Sequence, residues 1–304
     1  MTSLDSSPPR AAAGRATALV AASAAGFAAI SIFVIFATGA GAPLLTVLSW
    51  RYIVAAILLG GGAVASGKIR AIGRPGLAVM VFGGLGQSVI AVVTLYALNF
   101  IPAATLSFLF YTYPGMVAII ARMRHSEPLT PLRLFALALS LTGIFVMVGA
   151  PGSAALNPTG VILGLTGALL YAFYVPMLNG LQKSLPSVAT AAYMSIGAAI
   201  ILSTIAATRG ELTASMHSTA WIAITGLSLI STVGAFLAFL RGLRVLGPLR
   251  TAIISTVEPF FTALLGAWLL AQPLTATTLL GGALIAGAVI LLQLPTANTE
   301  SGRS

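Results

Sequence analysis

The feature that most constrains this chain is a succession of ten long apolar runs separated by short polar segments. The hydrocarbon core of a bilayer is about 30 Å thick, so a helix needs about 20 apolar residues to cross it. Backbone groups in hydrocarbon must be paired within the protein, and runs of this length are too long for barrel strands. They lie at about 17–37, 43–65, 76–98, 102–121, 131–150, 159–179, 187–207, 220–240, 248–270 and 274–293.

Composition also indicates that the chain lies in a lipid bilayer. Hydrophobic residues make up 58% of the 304 residues and charged residues only 7%, whereas a soluble domain is about one quarter charged. We therefore predict an all-α integral membrane protein with ten transmembrane helices. The chain has no cysteine, and its two histidines fall in connecting segments, so we expect no metal and no cofactor.

The basic residues predict an orientation in the membrane. With a cytoplasmic N-terminus, thirteen of the fifteen lie in inside segments, Arg209 lies outside and Arg51 lies within the second run. They form no continuous stripe, so nucleic-acid binding is not expected. We predict a multi-pass protein of the cytoplasmic (inner) membrane with both termini cytoplasmic, a disordered tail at 1–16 and a second tail at 294–304.

An internal repeat relates the two halves of the chain. Laying residues 96–130 on 241–275, at a constant offset of 145, superposes the fourth run on the ninth and Pro114 on Pro259. Each half has five spans, and because five is odd the second half enters the bilayer from the opposite side. The sequence thus predicts two inverted five-helix repeats, at 17–150 and 159–293.

Both halves contain short motifs beside their fourth and ninth runs. They are Tyr96-Ala97-Leu98 with Pro102-Ala103-Ala104, Pro114 followed by Glu127-Pro128-Leu129-Thr130, and Val257-Glu258-Pro259 followed by Gln272-Pro273-Leu274-Thr275. These motifs resemble the paired EamA domains of the drug/metabolite transporter superfamily. The resemblance implies a ten-helix carrier, often an exporter of amino acids or related metabolites, with its cavity between the halves. One departure is Gln272, where the family often has an acidic residue; Glu127 keeps it in the first half.

Two charged residues are predicted to lie deep in the membrane, Arg51 and Glu258. A charge at that depth costs at least about 2.5 kcal/mol, so each should face a cavity or a partner. Their predicted depths differ by about 6 Å, which would allow an ion pair. Arg51 could be a structural clamp or could bind a substrate carboxylate.

Glu258 precedes Pro259, whose missing N–H leaves a backbone carbonyl free and favours a kink. A carboxylate there could bind a substrate ammonium, carry a transported proton or be purely structural. The offset maps Glu258 onto Tyr113, beside Pro114, so the two prolines are candidate hinges. Further candidates for the cavity, or for aromatic belts and helix contacts, are Trp50, Gln87, Tyr111, Tyr171, Tyr174 and Tyr193.

These residues leave three functions open. The one that fits best is a secondary transporter that moves a small polar metabolite, an amino acid or related zwitterion, by alternating access. We expect it to act as an exporter, with protons as a candidate coupling ion. No phosphate-binding loop occurs. An intramembrane enzyme would need clustered acids or a histidine within a span. A receptor or assembly subunit would need more surface than these short loops offer.

Overall fold

The computed structural model describes residues 10–68, 73–101, 106, 109–124, 129–148, 157–270 and 274–292, and every regular element in these ranges is helical. The predicted all-α class is therefore confirmed. The helices are α1 (Arg10–Gly39), α2 (Leu44–Ala65), α3 (Arg74–Tyr96), α4 (Tyr113–Met123), α5 (Pro131–Val148), α6 (Pro158–Leu181), α7 (Ser187–Thr208), α8 (Ser218–Leu246), α9 (Pro248–Ser255 and Glu258–Leu270) and α10 (Ala276–Leu291).

These ten helices correspond to the ten predicted spans. Seven of them, α1, α2, α3, α6, α7, α8 and α9, are long and apolar enough to cross a membrane, and α5 and α10 contain shorter apolar helices. Large apolar side chains are exposed on the outward faces, for example Ile222 and Trp268 at 74% and 79%. In water such a surface would be unfavourable, so its natural solvent is lipid.

The first helix differs from the prediction at its start. It begins at Arg10, so residues 10–16 are helical and do not form the expected disordered tail. The reason is local, because this segment is rich in alanine, the residue with the highest helix propensity. Residues 1–9 and 293–304 lie outside the described residues, as do Pro102-Ala103-Ala104, Glu127, Pro128, Gln272 and Pro273 of the quoted motifs.

Small residues set the close helix contacts. Helix α2 packs along α7, α5 along α10, α1 along α8, and α3 along α6. A Cβ atom on Gly160 would lie 2.5 Å from Ile101, and one on Gly164 would lie 3.1 Å from Leu109. This glycine-rich face of α6 thus packs inside the chain, as bundles with small residues do.

Two helices are broken at corresponding places. A turn at Tyr111–Thr112 precedes α4, and a turn at Thr256–Val257 divides α9. The two turns are 145 residues apart, which is the offset of the sequence repeat. Each is followed by a helix with proline in its first turn, so the chain breaks just before Pro114 and Pro259, where proline is well tolerated.

Helices α3 and α8 each contain a wider, π-helical segment, at Val79–Gly83 and Leu227–Gly234. Such segments interrupt the regular hydrogen-bond ladder and are frequent at functional sites. The apolar core has two main parts, one centred on α2, α7 and α8 and one on α4, α9 and α10. The candidate site lies where these two parts meet.

Candidate functional site

Glu258 opens the second segment of α9 and is the acidic residue of its first turn. The positive end of the helix dipole favours a carboxylate at this position. The residue lies among protein groups, and its side chain keeps a partly exposed surface. The Tyr111 hydroxyl lies close enough to this carboxylate to interact with it. The breaks of α4 and α9 are therefore joined by one polar contact.

Five rings form a continuous wall beside this carboxylate, and we call them the aromatic cluster. The Tyr113 and Tyr171 rings meet edge to face with centroids 4.8 Å apart. Tyr171 lies between both parts of the core, since it packs against each, and it interacts electrostatically with Glu258. Edge and offset contacts of this kind contribute about 0.5–1.5 kcal/mol each. The members are Phe110, Tyr111, Tyr113, Tyr171 and Tyr174.

The hydroxyls of the cluster differ in what they bind. Tyr174 donates to the Gly83 carbonyl at 3.1 Å, at the end of the π-helical segment of α3. Tyr113 donates to the Ala252 carbonyl at 3.4 Å. In the described residues the Tyr171 hydroxyl makes no hydrogen bond. Its oxygen is not one of the fully buried polar atoms that lack a partner. Tyr171 and Glu258 are thus polar groups of this region whose side chains make no hydrogen bond within the described residues.

Arg51 is buried at 3% exposure on α2, at the border of this site. Its Nε donates to Thr232 Oγ1 at 2.7 Å, and that hydroxyl donates to the Leu227 carbonyl within the π-helical segment of α8. The guanidinium also lies 5.0 Å from the Tyr52 ring centroid. These contacts have the form of the clamp that the sequence suggested.

An ion pair between Arg51 and Glu258 is not formed within 4 Å, both residues being described. The arginine is still close enough to interact electrostatically with the carboxylate. The terminal guanidinium nitrogens of Arg51 make no hydrogen bond within the described residues. They are not among the fully buried polar atoms that lack a partner. They remain available to a ligand.

The other sequence candidates are distributed unevenly. Trp50 Nε1 donates to the Thr213 carbonyl at 2.9 Å and its ring packs on Trp221, so it ties α2 to the segment before α8. Tyr193 is buried in the α3–α7 contact, where a Cβ atom on Gly76 would lie 2.7 Å from its ring. Neither joins the aromatic cluster. Gln87 is partly exposed on α3 and follows Gly86, which lies against Tyr174.

The sequence reasoning missed three residues of this region. Tyr52 is fully buried with an unpaired hydroxyl and interacts electrostatically with Tyr171 and Tyr174. Thr232 holds Arg51 and Phe110 completes the aromatic wall. Tyr52 follows Arg51 in the chain and could have been found as its neighbour. Threonine and phenylalanine are too common in apolar helices to stand out.

Throughout the described parts of the chain, His, Cys, Asp and Glu nowhere cluster in the groups of three that a metal ion would need. Glu258 therefore stands among phenols, and its chemistry is that of a single carboxylate in an aromatic surrounding.

Comparison with known proteins gives a consistent result. The model of the EamA-like transporter family matches twice, at residues 15–149 and 158–294. An uncharacterized inner membrane transporter of Salmonella typhimurium, YicL, is 30% identical over 227 residues, 73% of this chain and 74% of that protein. An uncharacterized transporter of Archaeoglobus fulgidus is 26% identical over 73% of this chain and 78% of its own length.

A solved crystal structure shares the fold. It matches with a TM-score of 0.79 at 18% identity, covering 92% of this chain and 98% of that one. The similarity extends into both halves of the chain.

Proposed function

The chain belongs to the EamA-like transporter family and is thus a multi-pass membrane transporter, and on that basis we propose that it is a secondary carrier of a small zwitterion, an amino acid or a related metabolite. The observation that carries the proposal is Glu258, a carboxylate that lies among the phenols of the aromatic cluster and is partly exposed. A charge so placed needs a compensating ligand, and a substrate ammonium supplies one.

The proposed binding mode uses both charged residues. The substrate ammonium lies against Glu258 and the free Tyr171 hydroxyl, with the faces of the aromatic cluster adding cation–π attraction. The substrate carboxylate lies toward the terminal nitrogens of Arg51, which lack partners in the described chain. Arg51 then has two roles, since its Nε keeps the bond to Thr232.

We propose an architecture of two inverted five-helix repeats. Support comes from the two family matches, one in each half, and from the turns at 111–112 and 256–257, which share the offset of 145 residues. Carriers of this kind bind substrate near the bilayer midplane at broken helices and expose it alternately to each side. The halves would rock about the breaks next to Pro114 and Pro259.

The proposed direction is export from the cytoplasm across the inner membrane, with both termini cytoplasmic. The name of the Salmonella relative places that protein in the inner membrane, and the basic residues lie where the positive-inside bias requires. Protons are the proposed coupling ion, because one carboxylate that binds either a proton or an ammonium links the two fluxes by competition.

The test is uptake of radiolabelled amino acids into liposomes containing the purified protein, with unlabelled metabolites as competitors. Glu258→Gln keeps the shape of the side chain and removes its charge. Glu211→Gln is the matched control, since Glu211 lies in the segment after α7, away from the cluster. We expect saturable uptake in wild type and in the control, and loss of at least about tenfold in Glu258→Gln.

Equal uptake by wild type and Glu258→Gln would make this glutamate structural and would refute the binding mode. Absence of uptake across a broad amino-acid panel would refute the substrate class. Proton coupling is tested separately. An imposed pH gradient should drive accumulation in wild type, and an ionophore that collapses the gradient should abolish this accumulation.

A further inference from the structure

A cavity of about 290 Å³ lies away from the aromatic cluster at the ends of α2, α3 and α7. Helix α2 contributes Leu44, Leu45 and Leu48 to its lining. The other two helix ends each contribute a pair of residues four positions apart, Val92 with Tyr96 and Ile205 with Arg209. Helix α2 runs antiparallel to α7, since Thr46 near its start donates a hydrogen bond to the Glu211 carbonyl just beyond the end of α7.

This geometry gives the cavity two chemically different levels. The deeper level consists of Leu48, Val92 and Ile205 and is apolar. The outer level carries the Tyr96 phenol and the Arg209 guanidinium. An amphiphile with an alkyl chain and an anionic head matches this order, with its head against Arg209 and its chain on the apolar floor.

Arg209 is free to take such a ligand. It is exposed, and in the described residues its guanidinium has no hydrogen bond and no ion pair, although Glu211 is only two positions away. In the sequence it is also the single basic residue predicted for the outside loops. Its charge is therefore unmatched within the protein at the level where lipid headgroups lie.

The side of the cavity continues into a surface that faces lipid. Along α3 the side chains of Leu85, Val89 and Tyr96 are exposed by 46%, 39% and 54% and recur at helical spacing. This stripe leads from the middle of the span up to Tyr96 at the cavity. An aromatic residue at its polar end is typical of the membrane interface.

We propose that this cavity, hereafter the Arg209 cavity, is a binding site for one anionic phospholipid of the leaflet at this end of the helices, the outer leaflet in the predicted orientation. The phosphate pairs with Arg209 and accepts a hydrogen bond from Tyr96. One acyl chain enters between Leu48, Val92 and Ile205 and continues along the α3 stripe. The site is separate from the substrate site and does not depend on which solute is carried.

The experiment is native mass spectrometry of the purified full-length protein, titrated with phosphatidylglycerol or phosphatidylcholine of identical acyl chains. We expect the first phosphatidylglycerol to bind wild type several-fold more tightly than phosphatidylcholine. Arg209→Gln should weaken phosphatidylglycerol binding about fivefold and remove the preference. Ile205→Trp, which fills the floor and leaves the charge, should weaken both lipids.

Arg241→Gln is the matched control, because Arg241 is also exposed and unpaired in the described chain but lies on α8, far along the chain from this cavity. The proposal fails if this control loses as much affinity as Arg209→Gln, or if Arg209→Gln binds like wild type. It also fails if inorganic phosphate displaces the lipid, which would indicate a free-anion site. Displacement by a transported amino acid would likewise overturn it and would make the cavity a solute vestibule.

Discussion

The turn before α4 and the turn within α9 occupy corresponding positions in the chain, and the residues after them differ in chemistry. Tyr113 and Glu258 each follow such a turn and each precede a proline. Tyr113 is 2% exposed and its hydroxyl bonds to the Ala252 carbonyl. Glu258 is partly exposed and its carboxylate interacts with the Tyr111 hydroxyl.

The comparison separates two roles of a broken helix. At Tyr113 the break lets α4 pack closely on α9, and the Tyr113 hydroxyl donates its hydrogen bond to the Ala252 carbonyl. At Glu258 the break carries a partly exposed charge, which in the proposed function binds the substrate. A common backbone geometry would thus support a sealing contact in one half and the proposed binding group in the other.

Removing the polar group from each position should give the largest contrast. Glu258→Gln should lower the rate of saturable uptake by at least about tenfold, because hydrogen bonds to a charged group contribute about 1.5–3 kcal/mol. Tyr113→Phe should lower it by less than about threefold, since its bond is long and neutral. Equal losses in the two variants, measured side by side in liposomes, would remove the distinction between binding and sealing.

Tyr111 tests whether the carboxylate depends on the other half of the chain. Tyr111→Phe removes the hydroxyl that interacts with the Glu258 carboxylate and should raise the apparent KM for substrate about tenfold. Tyr174→Phe is the control, because its hydroxyl bonds to Gly83 and Met194. A Tyr111→Phe transporter with the wild-type KM would show that the two breaks work independently.

Much of this fold could be predicted from the sequence, because bilayer thickness imposes a length on each helix and apolar composition reveals it. The sequence also predicts that Arg51 and Glu258 lie deep in the membrane, because charged residues are rare in these spans and stand out. What could not be predicted is which partner a side chain reaches. Arg51 bonds to Thr232, and that pairing depends on a π-helical segment in α8 that hydropathy does not encode.

The Arg51 clamp should affect stability more than the Tyr113 seal does. Thr232→Val removes the acceptor of the buried Nε and should lower the free energy of unfolding by about 1.5–3 kcal/mol. Thr204→Val is a suitable control, because its exposed hydroxyl bonds only to the Ile200 carbonyl of its own helix. Thermal unfolding in detergent measures both. A Thr232→Val protein as stable as the control would mean that Arg51 finds another partner.

The prolines after the two breaks should give the smallest effects. Each lies in a first helical turn, where its ring causes no clash and its missing N–H has no intrahelical acceptor. Pro259→Ala and Pro114→Ala should therefore change stability by less than about 1 kcal/mol. If the halves rock about these points, Pro259→Ala would let the two segments of α9 join. The maximal uptake rate should then fall about two- to threefold with KM unchanged, because a hinge residue acts on the conformational step. Uptake kinetics of the two variants would extend the comparison of the two halves, since a larger loss in Pro114→Ala than in Pro259→Ala would place the principal hinge on the sealing side rather than beside the carboxylate.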